Sequence, residues 1–389
     1  MDAIPYKRLS GFYFFYFALL GAIIPYWSLY LESLAFDAIT IGVLMSISHV
    51  TRVFAPSLWG YLADRTGKRL RIIRLGALAT WLIFLLMFDQ DAAWRVGLIM
   101  LLFSFFWNAV LPQFEVVTMT HLGDQRARYS LIRVWGSIGF IVIVVGFGYL
   151  FDKIEIGYLV HAMWLIMVMI WIFACCVPSP NLKRASSSDV EAAQSFKKTF
   201  CTPAVLAFFA ATFLVQLSHG PYYTFFSIMM ESSGFSRGEI GWIWAIGVMA
   251  EVGAFIVMHR FIEVLGCRNL MIISLILAAL RWSLVALFPT VMPVLLMSQL
   301  LHAASFGAMH ATGITLVHHF FAEQHQGKGQ ALFSSLGFGL GGSLGALISG
   351  FIWEPFGPVM TFLLASLACV LAAIITYVWM HQKPRLVVN

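Results

Sequence analysis

Charge is scarce in this chain of 389 residues: Asp, Glu, Lys and Arg make up only 11% of it, against roughly 25% in a soluble domain. So few ionic groups cannot cover the surface of a water-soluble globule of this size. Cysteine is also sparse. Cys175, Cys176, Cys201, Cys267 and Cys369 show no metal-ligand spacing and fall in apolar runs or on the side where thiols stay reduced, so neither disulfides nor a metal centre is expected. There is no H-E-x-x-H pair, no strand-to-helix nucleophile elbow and no soluble sensor domain, so an enzyme or a receptor would lack its chemistry. Gly337, Gly339, Gly341, Gly342, Gly345 and Gly350 superficially resemble a phosphate loop, but no strand precedes them and no cofactor is implied. His318, His319 and His325 sit at a helix end, where polar interfacial residues are ordinary.

Apolar residues are what the chain has in excess. They form 60% of it, with a mean hydropathy of +0.86. A bilayer-spanning helix needs about 20 mostly apolar residues, which leaves room for about twelve in this length. The runs lie near residues 9–32, 39–63, 72–88, 95–120, 131–151 and 157–177, then 204–230, 238–261, 270–288, 291–319, 330–352 and 358–380. The first run is too long for a signal-peptide core and has no clear small-residue cleavage site, so a retained helix is expected. Between the two sets, residues 178–203 carry prolines, three consecutive serines from Ser186, and Lys183, Arg184, Lys197 and Lys198, the composition of a polar linker. The expectation is an all-α membrane protein of two six-helix halves, residues 1–177 and 204–389.

Placing the N-terminus inside puts nineteen Lys and Arg residues in cytoplasmic segments and three, Arg95, Lys153 and Arg237, outside. That asymmetry orients both termini and the linker towards the cytoplasm. The basic excess, a net charge of +6, is therefore topological and does not point to nucleic acid.

The two halves look duplicated. A shift of 199 positions carries Glu32, Ser33, Phe36, Ile41 and Gly42 onto Glu231, Ser232, Phe235, Ile240 and Gly241, and Asp64, Gly67 and Arg69 onto Glu263, Gly266 and Arg268. Gly60-Tyr-Leu-Ala-Asp64-Arg65-Thr-Gly67-Lys68-Arg69 fills the G-x-x-x-D-[RK]-x-G-[RK]-[RK] pattern between the second and third helices of the major facilitator superfamily. Two parallel six-helix repeats joined by a polar linker also resemble that superfamily. The resemblance implies a gate formed by Gly60, Asp64, Arg65, Gly67 and Arg69. In it Gly60 would permit close helix contact, and Asp64 would meet the positive end of the eleventh helix in one conformation.

Charges inside spans are the functional signal, since each costs about 2.5 to 3.5 kcal/mol to insert and should face a cavity or a partner. They are Arg52, with His49 on the same face, Glu115, Arg133, Glu251 and Arg281. Glu251 lies 199 positions after Arg52, so the repeat places opposite charges at corresponding depths. A structural ion pair between the halves is the bland alternative.

The chain is also similar to the oligosaccharide:proton symporters typified by lactose permease. Glu115 and Arg133, with the run through Phe140, match that family's sugar-binding Glu and Arg. Arg281, twelve residues after Asn269, and Leu301-His302 match its coupling residues. Ser305 replaces the family's proton-carrying Glu, so Glu251 is the expected acceptor, with His302 and Arg281 as coupling partners. The fuller resemblance is to the 3-phenylpropionate permease branch, carried by Pro25-Tyr-Trp27, Arg133-Val-Trp-Gly-Ser137, Gly241 to Val252, Leu280-Arg-Trp282 and Leu301 to Phe306. It implies proton-coupled uptake across the bacterial inner membrane; a monomer within the lipid bilayer is expected.

Three arginines against two glutamates in the spans favour an anion, and Tyr26, Trp27, Tyr222, Tyr223, Trp242 and Trp244 offer aromatic faces, although such rings more often serve packing or the interfacial belt. An aromatic monocarboxylate is the expected substrate, with Glu115, Arg133, Arg52, Trp27 and Tyr223 as binding residues. A sugar or a nucleoside is the alternative.

Overall fold

In hydrocarbon every backbone N–H and C=O must be satisfied within the chain, which leaves long apolar runs only the helix. The computed structural model describes residues 4–179 and 196–380, and among them there are helices and links but no strand. Ten helical stretches are long and apolar enough to cross a membrane. Two of them, Arg237–Leu287 and the stretch ending in Gly342–Trp379, break at Gly266 (φ 72°) and Gly357 (φ 76°), positive angles that glycine adopts without a Cβ clash. The first runs for 51 residues, about 77 Å of helix, more than twice a hydrocarbon core of ~30 Å. Dividing both at the glycine accommodates the expected twelve crossings.

The described residues cluster into two units. The first contains α1 (Tyr6–Ser33), α2 (Ala38–Thr66), α3 (Arg69–Phe84), α4 (Ala93–Leu122), α5 (Tyr129–Phe151) and α6 (Leu159–Cys176). Here α1 packs on α5 and α6, while α4 packs on α2 and α3. Asp37 caps α2 by accepting from Thr40 N at 2.8 Å, and those hydrogen bonds hold its carboxyl below the ordinary carboxylate value. Gly67 ends α2 at φ 67°.

The second unit holds α7 (Pro203–Ser218), α8 (Gly220–Ser232), most of α9 (Arg237–Leu287), α10 (Met292–Leu300), α11 (Met309–Phe320), α12 (Gln326–Leu332) and α13 (Gly342–Trp379). The seventh apolar run is one helical stretch, Pro203–Ser232, in which α7 and α8 meet at His219 with helical angles (φ −77°, ψ −12°) and one ladder bond is missing because Pro221 supplies no N–H. The tenth and eleventh runs carry π-helical segments, Ala303–Ala308 and Phe333–Gly341. Such widened turns concentrate at functional sites. Gly337, Gly341 and Gly345 press on α7: an added Cβ would stand 2.8 Å from Thr212 Cγ2, 2.7 Å from Phe213 O and 2.3 Å from Leu217 O. These glycines serve close helix packing.

Gly234–Ala245 belongs to the first unit although its helix continues into the second. The cause is local. Asp152, at the end of α5, accepts from Arg237 N at 2.7 Å and Gly238 N at 3.0 Å, so it satisfies two of the orphan donors that open α9. Trp242 Nε1 donates to Tyr149 Oη at 3.0 Å, and Ser236 and Glu239 exchange the two hydrogen bonds of a capping box. Most of the expected linker, 178–203, lies outside the described residues.

Candidate functional site

Polar side chains collect at three places, the first of them the loop between α2 and α3. Arg69 donates through one nitrogen to Asp64 Oδ1 and through another to Gln113 Oε1. Gln113 is buried in α4, so the basic loop is tied to a third helix. No motif pointed to Gln113, although a glutamine in a span is itself a signal. At Gly60 an added Cβ would stand 3.4 Å from Gln113 Nε2 on α4. Asp64 and Arg65 are exposed.

The second cluster lies in the first unit, on α1, α2, α4 and α5. Tyr129 Oη donates to Glu115 Oε1 at 3.4 Å, and Tyr13 Oη donates to Thr118 Oγ1 at 3.3 Å. The Arg133 guanidinium carbon stands 3.8 Å from the Phe17 ring centre and 5.7 Å from that of Tyr13, within cation–π reach. The buried Tyr16 is within electrostatic reach of all three predicted charges, Arg52, Glu115 and Arg133. All three are half-buried. Between α2 and α4, Asn108 donates to Ser48 O at 3.0 Å and Thr51 Oγ1 at 2.9 Å, and Thr51 bonds Ser104 at 3.0 Å. The sequence reading missed this trio, whose only signal is polar residues three and four apart.

Trp27 is elsewhere. Eleven residues along α1 from Tyr16 is about 16 Å. Its buried indole donates to Met100 Sδ at 3.4 Å and packs on Tyr30 and Phe84, so the structure gives it a packing role at the far end of the helix.

The third cluster, wholly within the second unit, is built around Arg281. This side chain is completely buried. It donates to Ser298 O (3.0 Å), His302 Nδ1 (2.9 Å), Ser305 Oγ (3.1 Å) and Gln299 Oε1 (3.4 Å). The Tyr222 and Trp282 ring centres each stand 4.3 Å from its guanidinium carbon. Arginine has no acceptor, so Nδ1 of His302 must be the accepting nitrogen and its proton resides on Nε2. That nitrogen faces Glu251 Oε2 at 3.5 Å. Glu251, His302, Arg281 and Ser305, brought together from the sequence, are therefore one contiguous chain. Gln299, completely buried and accepting from Tyr222 Oη at 2.7 Å, was missed, although it lies one helical turn before His302. Tyr223 is half-buried beside His219, with ring centres 5.7 Å apart; the two predicted substrate tyrosine and arginine groups thus sit in different clusters.

Buried charge held by polar neighbours in a many-helix membrane bundle, with a signature loop between its second and third helices, defines a polytopic transporter rather than an enzyme. The chain belongs to the MFS_1 like family, whose sequence model matches residues 6–364. It is 25% identical over 362 residues to a probable 3-phenylpropionic acid transporter of Escherichia coli (strain K12), covering 92% of this chain and 93% of that one. To a maltose permease of Geobacillus stearothermophilus it is 26% identical over 385 residues, covering 96% and 94%. The crystal structure of nucleoside transporter NupG superposes with a TM-score of 0.85 over 97% of this chain and 99% of that one, at 19% identity.

Proposed function

We propose that this transporter takes up a small aromatic monocarboxylate such as 3-phenylpropionate together with protons, by alternating access, across a bacterial inner membrane. The observation that carries the reading is the buried chain from Arg281 through His302 to Glu251, which sets a proton-accepting carboxylate beside a neutral imidazole. Its similarity to the 3-phenylpropionic acid transporter supports the substrate class. The charge of the spans favours an anion.

In this reading Arg133 holds the substrate carboxylate through its planar fork, Arg52 adds positive potential, and Glu115 orients Arg133 and any ligand hydroxyl. Tyr223 supplies an aromatic face. Glu251 takes the proton, while His302 and Arg281 couple its charge to the cycle. Gly60, Asp64, Arg65, Gly67 and Arg69 form the gate, with Gln113 as its anchor. The chain works as a monomer of two six-helix halves, with both termini in the cytoplasm. Lactose-permease-like spacing at Glu115 and Arg133, and similarity to maltose and nucleoside carriers, support a second reading, a sugar or nucleoside symporter.

Uptake of labelled 3-phenylpropionate, maltose and uridine into proteoliposomes carrying an imposed proton gradient separates the readings. The first requires accumulation of 3-phenylpropionate that stops when an uncoupler collapses the gradient. Accumulation of maltose or uridine alone replaces it with the second.

A further inference from the structure

His219 matches no motif, yet it stands at the junction of α7 and α8, two residues before Pro221. It is completely buried. Its Nδ1 lies 2.7 Å from Val215 O. A carbonyl only accepts, so Nδ1 carries the proton and the neutral ring presents a lone pair at Nε2. Among the described residues no donor reaches that lone pair. Tyr223 stacks at 5.7 Å, Trp282 meets the ring edge-on at 5.0 Å, Phe306 stands at 6.1 Å and His302 at 6.3 Å. The Trp282 indole is already committed to Ser218 Oγ at 3.1 Å, and Nε2–H of His302 faces Glu251.

A buried acceptor without a donor is costly, and native proteins keep few of them. The surrounding cluster is otherwise well satisfied: Arg281, Gln299, Ser298 and Ser218 all have partners. Tyr223 and Phe306, whose ring centres stand 5.7 and 6.1 Å from that of His219, are only half-buried, so the imidazole lies one ring away from accessible space.

We propose that His219 Nε2 accepts a hydrogen bond from a hydroxyl group of the transported substrate, and that this contact selects hydroxylated ligands over their unsubstituted analogues. The proposal rests on the aromatic monocarboxylate reading. Within that class the matching ligand is a phenol, a 3-(hydroxyphenyl)propionate, because an ionised carboxylate has no proton to donate to Nε2. The Val215 carbonyl fixes the tautomer, so the ring cannot exchange acceptor for donor at Nε2 without losing that bond. A site built to pair a hydroxyl rejects the analogue that lacks it, because the buried acceptor is then left alone.

The test is calorimetric titration of the purified full chain with 3-phenylpropionate and with its 3- and 4-hydroxy derivatives. Wild type should bind one hydroxylated ligand at least about tenfold more tightly than 3-phenylpropionate, the scale of one buried hydrogen bond. His219→Asn keeps a donor near Val215 O but removes the Nε2 position. It should reduce that preference, read as the ratio of the two affinities within the same variant, below about twofold. His219→Gln, which returns an amide oxygen near Nε2, should restore much of the preference. Equal wild-type affinity for all three ligands overturns the proposal whether or not the variants fold, and so does a preference that survives His219→Asn; both outcomes leave the monocarboxylate reading standing. Failure of every probe to bind wild type overturns that reading and the proposal with it.

Discussion

Arg281 donates to His302 Nδ1 across 2.9 Å, and this one contact decides where the imidazole keeps its proton. With Nδ1 occupied as an acceptor, His302 is neutral and turns Nε2–H towards Glu251. Adding a second proton to the ring would place N–H against N–H and expel Arg281 from its best partner. The buried arginine therefore sets the chemistry of its neighbours as well as the packing of the second unit.

Arg281→Lys should accordingly fail although it keeps the charge. A lysine has three donors on one nitrogen and cannot span Ser298, Gln299, His302 and Ser305 at once, nor lie flat between Tyr222 and Trp282. Breaking such a buried network costs about 3 to 5 kcal/mol. We expect a lower melting temperature in detergent and uptake reduced at least about tenfold, normalised to protein in the membrane. Near-normal uptake would show that the planar fork is dispensable.

Gly345→Ala is predicted to destabilise the second unit by about 1 to 3 kcal/mol through overpacking. Its new methyl group would stand 2.3 Å from the Leu217 carbonyl oxygen, a backbone atom that cannot swing aside, so α7 and α13 must separate. An unchanged melting temperature in detergent would contradict the packing argument.

At the gate, Asp64→Asn should slow transport while leaving substrate affinity within about twofold, because it loosens Arg69 without touching either buried cluster. Gln113→Leu should act in the same direction. Since both residues hold the same guanidinium, the double variant should be less impaired than the product of the two single effects. Matched uptake rates at equal expression for wild type and Asp64→Asn would remove the loop from the rate-limiting step.

What could be read from the sequence followed from length and cost. Apolar runs of spanning length mark helices, and charges are so expensive in hydrocarbon that Arg52, Glu115, Arg133, Glu251 and Arg281 stand out without any coordinates. The resemblance to the oligosaccharide:proton symporters also linked Arg281, His302 and Ser305. Hydropathy carries no sign of where backbone hydrogen bonds shift register, which is why the π-helical segments Ala303–Ala308 and Phe333–Gly341 are not legible in the sequence. Uncharged Gln113, Asn108 and Gln299 fit apolar runs at little apparent cost, and only their partners on other helices reveal what they do. Trp27 was attractive as an aromatic, but a residue's depth along a helix matters more than its type.

Arg133→Lys should weaken substrate binding by about tenfold or more, since the ammonium neither forms two parallel bonds to a carboxylate nor stacks on Phe17 as the guanidinium does. Calorimetry on purified protein measures this directly. Wild-type affinity would take Arg133 out of the binding site and leave it as a partner of Phe17 and Tyr13.

Glu251→Gln separates substrate movement from proton coupling. Because His302 is held neutral by Arg281, the carboxylate of Glu251 is the group in this chain of contacts that can take up and release a proton without breaking the arginine network. The amide resembles the protonated acid in shape but has no proton to give up. The variant should therefore exchange substrate across the membrane at a substantial fraction of the wild-type rate when concentrations are equal on both sides. Under an imposed proton gradient it should lose accumulation altogether. Paired exchange and accumulation assays in the same proteoliposomes provide the check. If Glu251→Gln still concentrates substrate against its gradient, the coupling proton resides elsewhere, and Glu115, beside Tyr129 and near Arg133 in the first unit, becomes the carboxylate to replace next.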